Sequence, residues 1–216
     1  AMSRSHCQGA EKVFDASTAR GDLESYRQKG PAKTTRLLLD AIRNAAHALH
    51  DDKTLLDIGG GVGAIQHELL ADTVKSAVHV DASTAYLGAS QEEAGKRGHR
   101  ERVTYLYGNF VELAPEIEAA DIVTLDRVLC CYPDMPALVK ASTTHARQLY
   151  GVIYPRDTWW MRLAGRGENL WFWLTRNSFR FFVHPAAEVD AAIRANGFVP
   201  RFHKNSGVWQ VVLYGR

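Results

Sequence analysis

Apolar and polar positions along this chain follow two alternating periods. Residues 14–28 read as a short amphipathic helix carrying Leu23 and Tyr26, and Lys29-Gly30-Pro31 breaks it. Pro31 suits the first turn of a second helix, which runs to about Leu49 with Leu38, Ile42, Ala45 and Leu49 on one face. Short apolar runs follow at Thr54–Ile58, Ala77–Val80, Val103–Tyr107, Asp121–Leu125 and Gln148–Tyr154, and each predicts a strand. Helical patterns at Ala64–Ala71, Thr84–Arg97 and from Pro133-Asp134-Met135-Pro136 to about Arg147 separate most of them. Strands alternating with helices predict a parallel sheet covered on both faces. The tail departs from this rhythm. A helix over Pro185–Asn196 ends at Gly197, and Phe198–His203 and Val208–Tyr214 flank Lys204-Asn205-Ser206-Gly207. That pattern predicts a β-hairpin, whose last strand runs antiparallel to its neighbour.

Ligands of such sheets bind outside the carboxyl ends of the strands. Asp57, Asp81, Asn109 and Asp126 all fall at predicted strand ends and outline one site. The first of these ends is the most telling. Leu55-Leu56-Asp57-Ile58-Gly59-Gly60-Gly61-Val62-Gly63 is an apolar run that meets an acid, then glycines, then a helical pattern. Glycine permits both the sharp turn and a close ligand approach, and a helix start offers unpaired N–H groups. Gly59, Gly61 and Ala64 also satisfy the loose dinucleotide pattern, with Asp81 as the ribose acid, so NAD is a competing reading. Asp57 weighs against it, because an acid two residues before the first glycine repels a pyrophosphate and welcomes a cation.

These residues resemble the class I S-adenosylmethionine-dependent methyltransferases. Asp57-x-Gly59-x-Gly61-x-Gly63 resembles the family's first motif, and His79-Val80-Asp81-Ala82-Ser83 the second. Gly108-Asn109-Phe110 resembles the third, and Asp121 to Val128 the fourth. The resemblance implies an α/β, Rossmann-like fold: a seven-stranded, mostly parallel sheet with helices on both faces and the last strand antiparallel. It implies S-adenosylmethionine as cofactor and S-adenosylhomocysteine as product. Gly59, Gly60, Gly61 and Gly63 would form the turn against the methionine part, with Asp57 supporting its amino end. Asp81 would accept from the ribose hydroxyls, and Ala82 would lie on the adenine. Asn109, where the family more often has Asp, and the Phe110 backbone would read the adenine edge. Asp126 and Arg127 would lie by the methionine end. A further resemblance, to Mg-protoporphyrin O-methyltransferases, rests on Phe14-Asp15, Tyr26, Gly30 and Cys131-Tyr132-Pro133. It implies a small-molecule acceptor and a segment 14–30 that folds over the cofactor; the porphyrin itself is not carried over.

The acceptor is expected to meet residues 156–184, which hold four of the five tryptophans, interleaved with arginines. Trp159, Trp160 and Trp171 are candidate walls of a pocket for an aromatic or hydrophobic molecule. The same segment also reads as lid core or a dimer surface, or as a helix on a membrane surface. Tyr132 and His184 are the candidate catalytic residues, as acceptor-orienting group and base. Tyr26 could place its ring over the sulfonium.

The 216 residues suffice for one domain: a lid over 1–50, a cofactor core over 53–154, a cap over 156–184, and the helix and hairpin over 185–216. A net charge of +2 does not point to nucleic acid. Cys7, Cys130 and Cys131 form neither a disulfide framework nor a metal spacing, so no metal and a reducing, cytoplasmic setting are expected. No leader is visible, the first ten residues are expected to be loose, and no run nears the roughly 18 apolar residues of a membrane span. A homodimer is among the arrangements expected.

Overall fold

A computed structural model describes residues 11–216. Cys7 and the segment expected to be loose lie outside the described residues. Among the described residues, α1 (Ala16–Lys29) and α2 (Lys33–Ala46) precede the first strand. Pro31 stands two residues ahead of α2 rather than in its first turn, because Gly30, at φ 73, caps α1 and Ala32 is the N-cap of α2. The alternating region follows as β1 (Thr54–Ile58), α3 (Ala64–Asp72), β2 (Ser76–Asp81), α4 (Thr84–Arg97), β3 (Val103–Tyr107) and a one-turn α5 (Phe110–Leu113). β4 (Ala120–Asp126), α6 (Met135–Thr144) and β5 (Ala146–Pro155) complete it. Segment 156–184, read for its aromatics rather than a period, folds largely as α7 (Trp159–Leu174). The chain closes with α8 (Ala186–Arg194), β6 (Val199–Ser206) and β7 (Trp209–Gly215).

The seven strands form one sheet in the order β3-β2-β1-β4-β5-β7-β6. β1 to β5 pair in parallel, and β7 runs antiparallel between β5 and β6. The hairpin turn is tighter than expected. Ser206 already pairs with Trp209, and Lys204 and Asn205 continue β6. Gly207, at φ 60, takes the first of two loop positions, which a two-residue loop gives to glycine.

Period-two alternation sorts the side chains into two cores. Leu55, Ile122, Val211 and Leu213 face α2 and α3, where they meet Leu38, Ile42, Ile65 and Leu69. Leu56, Val123, Val212 and Tyr214 face the other side, with Leu138 and Val139 of α6 and Val189 and Ile193 of α8. Both faces of the central strands are thus covered, which is why β4 is buried from Ala120 to Leu125. α1 is held outside this sandwich against α4 by Arg27, which reaches Glu92 and Glu93 at 2.7 Å each. That placement leaves α1 and the start of α2 standing over the carboxyl ends of β1 and β4.

Candidate active site

At Gly59, Gly60 and Gly63 the turn after β1 leaves no room for a side chain. Gly59 sits at φ 62, and a Cβ there would come within 2.6 Å of Val128 Cγ2. Gly63 starts α3 at φ 78, where a Cβ would lie 2.7 Å from Gln66 Nε2 and 2.8 Å from His67 Nε2. Above this turn is a cavity of about 760 Å³, within the range of small-molecule sites.

Gly59, Gly60 and Gly61 line the cavity, as do Asp57, Asp81, Ala82, Asn109, Phe110, Asp126, Arg127, Tyr132 and Tyr26. Strand ends from four neighbouring strands therefore converge on one cavity. Gly63 is not on the wall. Its freedom at positive φ serves the α3 start, packed on Gln66 and His67 below the turn.

Three of the four wall carboxylates lie at strand ends and have raised pKa values. Asp57 Oδ1 accepts from Thr124 Oγ1 at 2.7 Å, while its buried Oδ2 has no hydrogen-bond partner. Burial pushes its pKa up to about 7; the Thr124 bond opposes this, and the charges of Asp126 and Asp81 add to it. Asp81 Oδ2 accepts from the Gly61 N–H at 3.0 Å and Oδ1 from the Ser83 N–H at 2.8 Å, so it ties the glycine turn to the start of α4. Burial still raises it to about 6. Asp126 is raised by burial, against the pull of the Arg127 guanidinium. A site lined by acids that resist ionisation favours a cation, since a positive charge repays the desolvation that raised them.

The N-terminal helices close the site from above. Thr35 Oγ1 donates to Asp126 Oδ2 at 2.6 Å, and Arg127 Nη2 donates to Thr34 Oγ1 at 3.0 Å. Arg127 lies at φ 61, a conformation rare for a side-chain-bearing residue, with its guanidinium 5.4 Å from the Trp209 ring. Phe14, Tyr26 and Gly30 reach the wall.

Several expected roles do not match the side-chain directions. Asn109 Oδ1 already accepts from the Val111 N–H at 3.2 Å and the Tyr132 hydroxyl at 3.1 Å, and Nδ2 donates to Glu112 at 3.1 Å. It is the N-cap of α5, and Tyr132 is anchored through it. His184 is not on the wall: Nε2 lies 3.0 Å from the carbonyl oxygens of both Leu129 and Tyr132, so that nitrogen serves as a backbone donor rather than a base. Trp159, Trp160 and Trp171 do not line the cavity either; they are 77%, 41% and 65% exposed. α7 turns Met161 and Gly165 inward, and these tryptophans stand on its other faces. The Tyr26 ring is already covered by the Arg97 guanidinium at 4.9 Å, and its hydroxyl donates to Glu68 at 2.8 Å.

Tyr86 was missed by sequence reasoning. It lines the cavity with its ring beside Gly61 and its hydroxyl on Asp22. Thr35, Lys29, Lys33 and Arg36 also reach the wall unannounced. Their common signal is position: all but Tyr86 lie where α1 gives way to α2, beside the predicted break at Gly30-Pro31.

A sheet whose strand order reverses at β1, with a glycine turn and acids at its carboxyl ends, defines a Rossmann-like fold with a cavity at its switch point. The Methyltransferase domain family model matches residues 25–201, and the chain belongs to that family. An alignment 98 residues long, covering 43% of the chain, is 32% identical to 3-amino-4-hydroxybenzoate 4-O-methyltransferase from Streptomyces cremeus, and spans a quarter (25%) of that protein's length. Among solved structures, magnesium protoporphyrin IX methyltransferase from Synechocystis PCC 6803 with bound SAH superposes with a TM-score of 0.72 at 15% identity, covering 98% of this chain and 99% of that one. Geranyl diphosphate C-methyltransferase from Streptomyces coelicolor A3(2) gives 0.63 at 14%, covering 83% and 78%. At these identities the solved structures show a shared fold.

Proposed function

We propose that this chain is an S-adenosylmethionine-dependent methyltransferase acting on a small aromatic or hydrophobic acceptor. The observation that carries the reading is the buried, unpartnered Oδ2 of Asp57 on a wall shared with Asp81 and Asp126. A cationic group answers these acids at the strand ends, while Lys29, Lys33, Arg36 and Arg127 supply the positive part of the same wall.

Gly59 and Gly61 would offer bare backbone to the methionine part, with Asp57 holding its ammonium group. Asp81 retains acceptor capacity for ribose hydroxyls beyond its two backbone bonds. Ala82 and the Phe110 backbone would border the adenine. When bound, S-adenosylmethionine supplies an electrophilic methyl group and leaves as S-adenosylhomocysteine. The chain's own work is to align the acceptor and keep water out, and proximity of this kind is worth roughly 7–11 kcal/mol of barrier. Tyr132, held by Asn109, would orient the acceptor. Lys29, Lys33 and Arg36 on the wall favour an acceptor with an anionic group, as the hydroxybenzoate of the Streptomyces cremeus relative has. A reducing, cytoplasmic setting suits Cys130 and Cys131, whose sulfurs lie unbridged 3.8 Å apart.

Calorimetric titration of the chain with S-adenosylmethionine, S-adenosylhomocysteine and NADH tests the ligand. Binding of the first two supports the reading; binding of NADH alone overturns it. Labelled methyl transfer to a panel of hydroxybenzoates and neutral phenols then tests the acceptor class.

A further inference from the structure

Seven of the nine large hydrophobic side chains exposed among the described residues stand on one helix, α7. At about 100° per residue, Trp159, Leu163, Leu170 and Leu174 fall within about 60° of one another, opposite the inward Met161 and Gly165. They are 77%, 60%, 56% and 62% exposed. Trp160 and Trp171 flank this stripe on one side, and Arg162 and Arg166 on the other. The inner face is anchored: Phe172 packs on Phe179 at 5.3 Å, and Phe179 on Phe14 of the cavity wall at 5.6 Å. α7 is therefore a helix fixed by one apolar face and presenting another.

We propose that this outer face docks on an anionic lipid bilayer. Charge complementarity selects the occupant. Residues 156–184 carry five arginines and two acids, whereas in the rest of the chain acids outnumber lysines and arginines by one. The net positive charge of the chain thus falls in the segment that carries the stripe, where Arg166 flanks it and Arg162 is paired with Asp157 at 2.6 Å. Tryptophan and leucine beside arginine is the composition of a helix lying in the headgroup region. A second copy of the chain would set one arginine-flanked stripe against another. No helix among the described residues is long and apolar enough to cross a membrane, so α7 would lie on the surface.

The test is flotation of the full chain with vesicles of phosphatidylcholine containing about one-third phosphatidylglycerol, against phosphatidylcholine alone. The chain should float with the anionic vesicles, less so as salt rises, and its tryptophan emission should shift to the blue. Leu163→Glu with Leu170→Glu should lower partitioning at least about tenfold. Both side chains are exposed, so the thermal transition and S-adenosylhomocysteine binding should be unchanged. Absence of flotation with anionic vesicles at low salt would overturn the proposal, as would equal flotation of the double variant. A dimer that the double variant dissociates, without flotation, would assign the face to a second copy. None of these readouts depends on methyl transfer.

Discussion

Thr124 Oγ1 donates a 2.7 Å hydrogen bond to Oδ1 of Asp57 and leaves Oδ2 of the same buried carboxylate without a partner. Thr124 reaches Asp57 from the neighbouring strand β4, so one oxygen is fixed by the sheet and the other is left beneath the glycine turn at Gly60. Asp57→Asn should therefore weaken S-adenosylhomocysteine binding by about 1.5–3 kcal/mol, roughly tenfold to a hundredfold, because a charge-assisted bond to the ligand is lost. The free chain should not lose stability, since the substitution removes a buried charge. Calorimetry and thermal unfolding of the same variant check both halves.

The raised acids make a pH prediction of definite sign. Asp57, at about 7 when folded, and Asp81, at about 6, sit above their ordinary value. Their contribution to folding is fully present below about pH 4 and is lost as pH rises through 6 to 7. Buried His67 and His79, lowered to about 4 and about 3, act oppositely: their contribution is present above pH 6.5 and lost as pH falls. The two effects overlap, so the readout is the difference between wild type and Asp57→Asn. That variant should gain in Tm over wild type as pH rises from 4 to 8. Affinity of wild type for S-adenosylmethionine should strengthen over pH 5 to 8 as the acids ionise, and flatten above.

Gly59→Ala combines strain with collision. Positive φ costs a side-chain-bearing residue about 1–2 kcal/mol, and the 2.6 Å approach to Val128 Cγ2 adds an overpacking cost of about 1–3 kcal/mol. Adding Val128→Ala should remove the second part but not the first. A double-mutant cycle on thermal unfolding should show that coupling. Strictly additive losses would mean that the backbone shifts away from Val128.

His184 and Tyr132 should separate by the kind of effect they have. His184→Ala removes the donor from the Leu129 and Tyr132 carbonyls, and should lower Tm while leaving the shape of the pH–rate profile intact. Loss of a limb of that profile would restore His184 as a base. Tyr132→Phe removes the hydroxyl that donates to Asn109, and should raise KM for the acceptor more than it lowers kcat.

Much of the site was legible because its signals are local. Asp57, Asp81 and Asp126 each follow an apolar run of strand length, and a glycine turn follows the first. Any sheet that pairs these strands in parallel brings the ends together. Asn109 was legible as a strand end, but its side chain answers to Val111 two residues on and to Tyr132 far along the chain. Its hydrogen-bonding capacity is spent on capping α5 and anchoring Tyr132. The tryptophans misled for a related reason: aromatic content marks something to be buried, without saying by what.

The sequence by itself determined the alternation of strands and helices, the bare turn at 59–63, the acids beside it and the terminal hairpin. These follow from period, propensity and steric freedom within a few residues. Only the tertiary structure decided that β7 inserts between β5 and β6, that Thr124 leaves half of Asp57 unpaired, that His184 faces backbone carbonyls, and that α7 turns its tryptophans outward. Each depends on which distant groups compete for one face or one hydrogen bond, and that competition is settled by packing across the whole sheet.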